Sequence, residues 1–327
     1  MSLDSDVIVD RRRIRRKLTF WRVTAVLVAI AAIVSVGLIA TKSGRNALTA
    51  SSGSIARINI DGLIRSDRER VEALERLEKS SAAAVIVHIN SPGGTTAGSE
   101  QLYDALVRLK AKKPVVVVVE GLAASGGYIT AIAADYIVAQ QSSLVGSIGV
   151  LFQFPNFTEL LKTVGVKVEE VKSSPLKAAP NGFEPTSPEA RAAIDALVKD
   201  SYAWFRGLVK ERRGMDEAQL EKVADGRVFT GRQAVELKLI DALGDEKTAV
   251  EWLVANKNVK KDLPVRDYKL TPRFGDLTFL RTVASATLDA LGLSTIARSI
   301  EQSGVTQAVD RLAMDGMLAL WQPAGSN

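Results

Sequence analysis

The central part of the chain alternates between short apolar runs and amphipathic segments. Runs rich in β-branched residues predict buried strands, and apolar residues three or four positions apart predict helices. Between residues 55 and 134 the order is strand, helix, strand, glycine turn, helix, strand, glycine turn, helix. This order predicts an α/β fold with right-handed crossovers and a largely parallel sheet. Both glycine turns should then lie at the carboxyl edge of one sheet, where open α/β sheets hold their sites.

The pattern also predicts the bounds of the elements. The predicted strands cover residues 55–60, 83–89, 114–119, 137–140, 145–151 and 166–171. The predicted helices cover residues 66–77, 97–109, 128–134, 156–164 and 188–213. Asp61 and Gly62 predict a turn after the first strand, and Ser66 with Glu69 has the spacing of a capping box.

Residues 121–128, Gly-Leu-Ala-Ala-Ser-Gly-Gly-Tyr, join the third strand to the following helix. Ser125 therefore stands at a strand-to-helix junction, where the first free N–H groups of the helix point toward its hydroxyl. Gly126 and Gly127 would let a substrate backbone approach closely. Nucleophilic serines are often presented in this way, but serine is also a common helix cap. This stretch alone leaves both interpretations open.

A long apolar run near the N-terminus predicts a membrane anchor. Residues 23–40 carry no charge, and the surrounding segment 20–41 is long enough to span a bilayer as a helix. The basic cluster at 11–17 should stay cytoplasmic and leave the rest of the chain across the membrane. A retained anchor is favoured over a cleaved signal peptide because no Ala-x-Ala site follows the run.

The chain is therefore expected to have a simple linear organisation. A basic cytoplasmic tail at 1–19 precedes the anchor, and residues 42–54, rich in Ser, Thr, Gly and Ala, predict a flexible stalk. The catalytic domain is expected at 55–256. Residues 257–327 contain amphipathic segments that predict a helical extension, whose role the sequence does not indicate.

Composition excludes several kinds of chemistry. The chain of 327 residues has no cysteine, so it has no disulfide, thiol nucleophile or cysteine-ligated zinc. It has one histidine, His88, which excludes a multi-histidine metal site within one chain. No metal or cofactor is expected. The formal net charge is +6, but much of the excess lies in the basic N-terminal run, so it does not indicate nucleic-acid binding.

A nucleophilic Ser125 would need a general base. His88 lies in an apolar strand and shares a face with Ile86, which favours a structural histidine. No histidine follows Ser125, so a lysine remains, and a lysine can act as a base when burial lowers its pKa. The candidates are Lys162, Lys167, Lys172 and Lys177. Each could instead be a solvated surface charge, although Lys177 stands in an unusually uncharged context.

An acyl-transfer site also needs donors for an oxyanion. One candidate donor is a backbone N–H of Gly93 or Gly94, in the turn at 90–94 after the second strand. The other is the N–H of Gly126. Either turn alone is weak evidence for an oxyanion site. Two such turns after successive strands, one of them carrying a serine, are a more specific indication.

Five ordered motifs resemble signal peptide peptidase A, or protease IV, a family of membrane-anchored bacterial serine proteases. The resemblance covers roughly residues 55–255 and includes a single catalytic module behind one anchor, as in the short form of the family. The motifs lie at residues 90–94, 124–128, 145–150, 171–177, and 227–231 with 239–244. One departure is Ser174, which stands where the family has a glycine.

The resemblance implies a Ser-Lys dyad with Ser125 as the nucleophile, Lys177 as the general base and Ser147 positioning the lysine. It implies oxyanion donors at Gly126 and in the Gly93–Gly94 turn. It further implies the Clp protease and crotonase-like fold of repeated strand-strand-helix units. A ring-shaped homo-oligomer, an octamer in short forms, would take the serine and the lysine from neighbouring subunits. The implied substrates are remnant signal peptides and misfolded exported proteins.

Two other functions share some of these features. A crotonase-type acyl-CoA enzyme would use glycine-turn oxyanion donors, but it would need neither Ser125 nor a membrane anchor. An inactive membrane-tethered scaffold could keep the fold without the chemistry. Labelling of Ser125 by a fluorophosphonate separates both from a peptidase, because neither should be labelled.

Overall fold

The computed structural model describes residues 53–270 and 318–320. Its strands are β1 (Ile55–Ile64), β2 (Ala84–Thr95), β3 (Val115–Ala124), β4 (Tyr136–Ala139), β5 (Leu144–Gly146), β6 (Val228–Thr230), β7 (Ala242–Leu243), β8 (Val265–Asp267) and β9 (Leu318–Leu320). Its helices are α1 (Arg68–Glu78), α2 (Thr96–Lys110), α3 (Gly126–Ala131), α4 (Thr158–Thr163), α5 (Pro188–Arg213), α6 (Glu217–Val223), α7 (Gly231–Glu236) and α8 (Glu246–Lys257).

These strands form one mixed sheet with a parallel centre. The main path runs β6-β5-β3-β2-β1-β8, and every pair in it is parallel except β5 with β6. The first half of β3 pairs with β4, and its last three residues pair with β5. The predicted parallel α/β sheet is therefore confirmed, and β3 ends opposite the last residue of β5.

The sheet is covered on both faces. Alternate residues of β2 point to opposite sides, as the pleat of a strand requires. Val87 and Ile89 belong to the large apolar cluster that includes residues of α1, α2 and α3. Ile86 belongs to a smaller cluster that includes Leu253 of α8. A sheet buried on both sides explains the continuous apolar runs of its central strands.

Two predicted turns are bulges inside longer strands. At Asp61 and Gly62 the register with β2 shifts, but β1 continues to Ile64. The segment 90–94 likewise belongs to β2, whose register with β3 shifts between Ile89 and Ser91. The glycines were correct signals of irregular backbone, but a bulge kinks a strand without ending it.

Local details differ from the prediction in other places. Helix α1 is capped by Asp67, whose side chain accepts from the Arg70 N–H, and not by Ser66. The strand predicted at 145–151 ends at Gly146. No strand forms at 166–171, although α5 has the predicted bounds. Helix α5 carries strong local signals, with Ser187 as its N-cap, a proline in its first turn and Gly214 in a left-handed conformation at its end.

The segment between β5 and α5, residues 152–187, is called the arm below. None of its residues is buried. Eight of the ten exposed large apolar side chains in the described part of the chain belong to it: Phe157, Leu160, Val164, Val166, Val168, Val171, Leu176 and Phe183. Such a concentration of exposed apolar side chains marks an interaction surface.

The described residues beyond 256 add strands to the sheet. Strand β8 pairs in parallel with β1, and β9 pairs antiparallel with β2. The remainder of the extension predicted at 257–327 lies outside the described residues, as do the tail, the predicted anchor at 20–41 and nearly all of the stalk. Among the described helices, none has the length and apolarity that crossing a bilayer requires.

Candidate active site

Ser125 lies between β3 and α3 in a backbone conformation that is unusual for a residue with a Cβ. Its φ is 53° and its ψ is −115°. The backbone N–H donates to the Gly146 carbonyl over 2.8 Å, and the hydroxyl lies 3.5 Å from the Gly149 carbonyl. Although Ser125 precedes α3, its side chain makes no capping hydrogen bond to that helix. The capping interpretation of Ser125 is therefore wrong, and its hydroxyl is held only weakly.

The turn at 90–94 lies beside Ser125, as predicted from the sequence. Ser91 pairs with Ala123 across the boundary between β2 and β3. Helix α3 also approaches the end of β2 so closely that a Cβ on Gly127 would lie 2.7 Å from the Ser91 carbonyl oxygen. The contact requires glycine, because real Cβ atoms do not come this close to a backbone oxygen. The two glycine segments therefore form one edge of the sheet.

The candidate oxyanion donors differ in the partners that their backbone groups already have. The Gly93 N–H donates to the Ser91 hydroxyl over 3.1 Å, and that hydroxyl donates in turn to the Gly62 carbonyl. Gly94 pairs with Ile64 of β1. Gly126 is the first residue of α3, so its N–H has no partner within the helix. Its position directly after Ser125 suits a donor to a developing oxyanion.

Ser147 follows β5 directly and lies next to Ser125. The link is Gly146, the residue before Ser147, which accepts the N–H of Ser125. Ser147 is buried, its own N–H donates to the Arg227 carbonyl over 2.8 Å, and its φ is 51°. Within the described residues its hydroxyl has no hydrogen-bond partner. It is therefore available to an incoming group.

Backbone strain marks two of the positions that the sequence singled out, Ser125 and Ser147, and the neighbour of a third. Five residues other than glycine have positive φ in the described part of the chain: Ser125, Ser147, Ala178, Lys238 and Asn258. Asn258 caps the end of α8, and Lys238 directly follows the end of α7, where this conformation is common. The other three are Ser125, Ser147 and the residue after Lys177. Strained residues cluster at functional sites because the surrounding structure must hold them in place.

Lys172 is engaged by two carboxylates. Its ammonium is paired with Glu170 at 2.7 Å and also with Glu184. Hydrogen bonds to Glu170 and then to Glu184 raise the pKa of Lys172 above its ordinary value. A general base must be neutral to accept a proton, so this lysine is poorly suited to the role. Lys162 is also paired, with Glu159 at 2.7 Å.

Lys177 lies in the arm and is exposed. Its backbone N–H donates to the Ser174 carbonyl over 3.0 Å in a turn. Its ammonium has no hydrogen-bond or ion-pair partner in the described part of the chain, and the same holds for Lys167. The structure therefore does not join Lys177 to Ser125 or Ser147 within one chain.

His88 is engaged on the opposite face of the sheet from α3. Its Nδ1 lies 2.7 Å from a Glu120 oxygen and its Nε2 lies 2.8 Å from a Glu246 oxygen. Glu246 also accepts two hydrogen bonds of 2.6 Å from Arg57. The hydrogen bonds from Arg57, and secondarily from His88, lower the pKa of the Glu246 carboxyl. His88 is thus a satisfied structural residue, as its position in the strand predicted.

Helix α3 is held firmly at the site by residues distant in the sequence. The Tyr128 hydroxyl donates to the Leu239 carbonyl over 2.7 Å, and complete burial raises the pKa of that phenol. Arg212 donates to the Ile132 and Ala134 carbonyls at the end of the helix. These contacts could not be read from the sequence pattern, because they join residues that are far apart in the chain. They fix the helix that begins directly after Ser125.

The functional groups gathered at this edge of the described part of the chain are serine hydroxyls and backbone N–H groups. No group of three or more His, Asp or Glu side chains in that part of the chain is arranged to hold a metal ion. A buried serine at a strained junction, two glycine segments at one sheet edge and a second serine lie together in this Clp protease-like fold, an arrangement suited to acyl transfer.

Two family models and a solved structure match parts of this chain. The model of the Clp protease family matches residues 65–143, and the model of peptidase family S49 matches residues 107–260. A solved structure of a mutant ClpP1 from Listeria monocytogenes matches with a TM-score of 0.40 and 17% identity, covering 58% of this chain and 91% of that chain.

Three curated relatives match over similar lengths of this chain. "Putative protease slr0021" of Synechocystis is 37% identical over 206 residues, covering 62% of this chain and 74% of that protein. "Protease 4" of Haemophilus influenzae is 32% identical and covers 66% of this chain but 37% of that protein. "Putative signal peptide peptidase SppA" of Enterococcus faecium is 29% identical, with 67% and 68% covered. The chain belongs to peptidase family S49, a family of serine peptidases.

Proposed function

We propose that this chain is a membrane-anchored serine endopeptidase in which Ser125 and Lys177 form a catalytic dyad. The observation that carries the proposal is the strained, buried Ser125, whose hydroxyl has no base within the described residues and no capping role. Membership of a serine peptidase family supports the reaction type, and the names of the relatives support peptides as substrates.

In the proposed reaction the Ser125 Oγ attacks the carbonyl carbon of a peptide bond while the neutral Lys177 Nζ accepts its proton. The N–H groups of Gly126 and of the Gly93–Gly94 turn stabilise the oxyanion. The lysine then protonates the leaving amine as the C–N bond breaks. In the second step the neutral lysine accepts a proton from a water molecule that attacks the acyl-enzyme, and it returns this proton to the Ser125 Oγ as the ester bond breaks. Ser147 accepts a hydrogen bond from the lysine and orients it.

The proposal places the lysine of one subunit in the active site of its neighbour. Within the described residues the Lys177 ammonium is exposed and has no partner, whereas Ser125 and Ser147 are buried with no base beside them. Burial against a neighbour would disfavour a charged ammonium and so favour the neutral amine that a general base requires. The apolar arm that carries Lys177 supplies a surface for that contact. A head-to-tail contact of this kind closes into a ring, for which we propose an octamer.

The proposed substrates are remnant signal peptides and misfolded exported proteins. The segment 20–41 would anchor the chain in the inner membrane of a bacterium, with the catalytic domain in the periplasm, close to signal peptides released into the bilayer. The name of the Enterococcus faecium relative and the uncharged run at 23–40 support this part of the proposal.

Mixing two inactive variants tests the shared site. Ser125→Ala and Lys177→Ala should each be inactive, and co-refolding in equal amounts should restore roughly a quarter of wild-type peptide hydrolysis, because about one contact in four pairs an intact serine with an intact lysine. Lys167→Ala, a change of another unpaired lysine in the arm, should be active alone. Activity that stays at background in demonstrably mixed oligomers would place the dyad within one chain.

Labelling with a fluorophosphonate separates the peptidase from an inactive scaffold. The probe should label the wild-type chain and not Ser125→Ala. A folded wild-type protein that resists labelling would contradict the proposed nucleophile, whatever the oligomer.

A further inference from the structure

Ser91 lies where the glycine turn of the candidate site meets the elements that hold the proposed nucleophile. It belongs to the turn at 90–94, and its side chain is completely buried. It pairs with Ala123, two residues before Ser125, and a Cβ on Gly127 would lie 2.7 Å from its carbonyl oxygen. One residue therefore contacts both the strand that leads to the nucleophile and the helix that follows it.

The Ser91 hydroxyl joins this turn to the bulge of β1. It donates to the Gly62 carbonyl over 2.6 Å and accepts from the Gly93 N–H over 3.1 Å. Gly62 has no partner residue in β2, because the register shifts between Asp61 and Leu63. A hydroxyl has one proton to donate, so its bond to the Gly62 carbonyl leaves a lone pair of the oxygen facing the Gly93 N–H. The hydroxyl thus links two irregular segments of neighbouring strands.

The N–H that Ser91 holds belongs to the proposed oxyanion turn. Gly93 has a φ of 101°, a conformation that residues with a Cβ rarely adopt, so the direction of its N–H is set by local contacts and not by regular strand geometry. An oxyanion donor contributes most when it is oriented before the charge develops. At 3.1 Å the bond to Ser91 is long for an N–H···O bond, so a negatively charged oxygen, which is a stronger acceptor, can share this N–H or take it over.

We infer that Ser91 is a positioning residue for catalysis: its hydroxyl fixes the turn at 90–94 to β1 and so holds the oxyanion donors in place relative to Ser125. The inference rests on the proposed function, in which this turn stabilises the oxyanion. Ser91 acts through Gly93 and does not touch the substrate. Without the hydroxyl, the Gly62 carbonyl and the buried Gly93 N–H would both lose a partner. The turn would then shift, because a buried N–H costs free energy until it finds another acceptor.

Replacement of Ser91 by alanine in the full-length chain tests the inference. Ser91→Ala should lower kcat for peptide hydrolysis about ten- to a hundredfold, because the N–H is displaced but not removed. KM should stay within about twofold of the wild-type value, because the turn acts on the transition state. Ser99→Ala is the matched control and should keep wild-type kinetics. Ser99 is also completely buried, and its hydroxyl donates to a backbone carbonyl, that of Thr95, over 2.9 Å.

Inhibition by a peptide aldehyde separates positioning from a loss of folded protein. The Ser125 Oγ adds to the aldehyde carbon and its proton passes to the proposed base, Lys177, while the carbonyl electron pair moves onto an oxygen at the place of the oxyanion. The inhibition constant does not depend on how much active protein is present, whereas the apparent kcat does. Ser91→Ala should therefore raise this constant by about the factor by which it lowers kcat/KM. A lower kcat with an unchanged inhibition constant would indicate a merely structural role and overturn the inference.

A second variant covers the case in which Ser91→Ala does not fold. Ser91→Cys keeps a side chain of similar size, but a thiol is a weak donor and acceptor, so kcat should fall about three- to tenfold with a matching rise in the inhibition constant. Wild-type values of both constants would overturn the inference. A kcat above that of the wild type would also overturn it, because the hydroxyl would then compete with the substrate for the Gly93 N–H. Wild-type hydrolysis by Ser125→Ala would instead refute the proposed function, so the two failures are distinguishable.

Discussion

The close approach of α3 to the end of β2 gives a sharp prediction for Gly127→Ala. A Cβ at this position would lie 2.7 Å from the Ser91 carbonyl oxygen and 3.3 Å from the Ser91 Cβ. Both neighbours belong to the sheet, where Ser91 is completely buried and paired with Ala123. Neither neighbour is the end of a flexible side chain that could move aside for the new methyl group. Helix α3 must therefore move away from β2.

The size of that movement sets the expected loss. Restoring an ordinary contact requires a shift of roughly half an ångström or more, since carbon atoms pack at about 3.5–4.0 Å. A misplacement of this order should lower kcat/KM about ten- to a hundredfold, because Ser125 moves relative to the Gly93–Gly94 turn. Overpacking of this kind costs about 2 kcal/mol, which lowers Tm by roughly 4–8 °C for a domain of this size.

Gly207→Ala is the matched control. Gly207 lies in α5, and a Cβ there would have no neighbour within 4 Å. The same change should raise Tm by about 2–3 °C through helix propensity and leave peptide hydrolysis unchanged. Thermal unfolding and steady-state kinetics on both variants test the pair. Wild-type activity and wild-type Tm in Gly127→Ala would refute the argument that this contact sets the site geometry.

Three further changes separate structural groups from catalytic ones. His88→Gln should retain most peptide hydrolysis in the folded protein, because both ring nitrogens are bound to carboxylates away from Ser125; inactivity equal to that of Ser125→Ala would contradict the lysine base. Lys172→Ala should also stay active in the same assay. Complete inactivity of this variant would indicate that Lys172, and not Lys177, is the general base. Glu246→Gln should lower the free energy of unfolding by about 1–2 kcal/mol at pH 7, measured by denaturant titration against Glu251→Gln. The pKa of Glu246 is lowered in the folded state, so this stability is present above the unfolded pKa and is lost as pH falls through the folded pKa. A difference that persists at acid pH below the folded pKa would contradict the role of the ionised carboxylate.

The parallel centre of the sheet and helix α5 could be predicted because their signals are local. Buried strands of Val and Ile need no partner to be recognised, and α5 has a serine cap, an early proline and a terminal glycine. The position of both glycine turns at one edge also followed, because successive parallel strands end on the same side.

The bulges could not be predicted, because they depend on partners distant in sequence. Gly62 and the turn at 90–94 look like chain reversals when only their neighbours are considered. In the fold, β1 and β2 pair beyond both irregularities, through Ile64 and Gly94. A Cβ at Gly94 would lie 1.8 Å from the Ile64 carbonyl oxygen, so this glycine serves the close pairing of two strands.

The alternating apolar pattern at 166–171 predicted a strand that the single chain does not form. Val166, Val168 and Val171 are exposed instead of buried. A periodic apolar pattern reports that a segment is suited to burial, but it does not say which surface covers it. The failure of this prediction and the exposure of the whole arm therefore have the same physical cause, which is a surface left without a partner inside the described domain.

The structure of a single chain accounts for the position of the proposed nucleophile, Ser125, but not for the reactivity of the proposed base, Lys177. Ser125 is set by its own backbone: a strained φ, a hydrogen bond to Gly146 and a helix that starts at the next residue. Lys177 has no such support, since it is exposed and unpaired in the arm. A lysine becomes a base near neutral pH only when its ammonium is desolvated, and an exposed side chain is not. If Lys177 is the base, the contact that buries the apolar arm must also create its reactivity, and the free chain would remain inactive until it assembles.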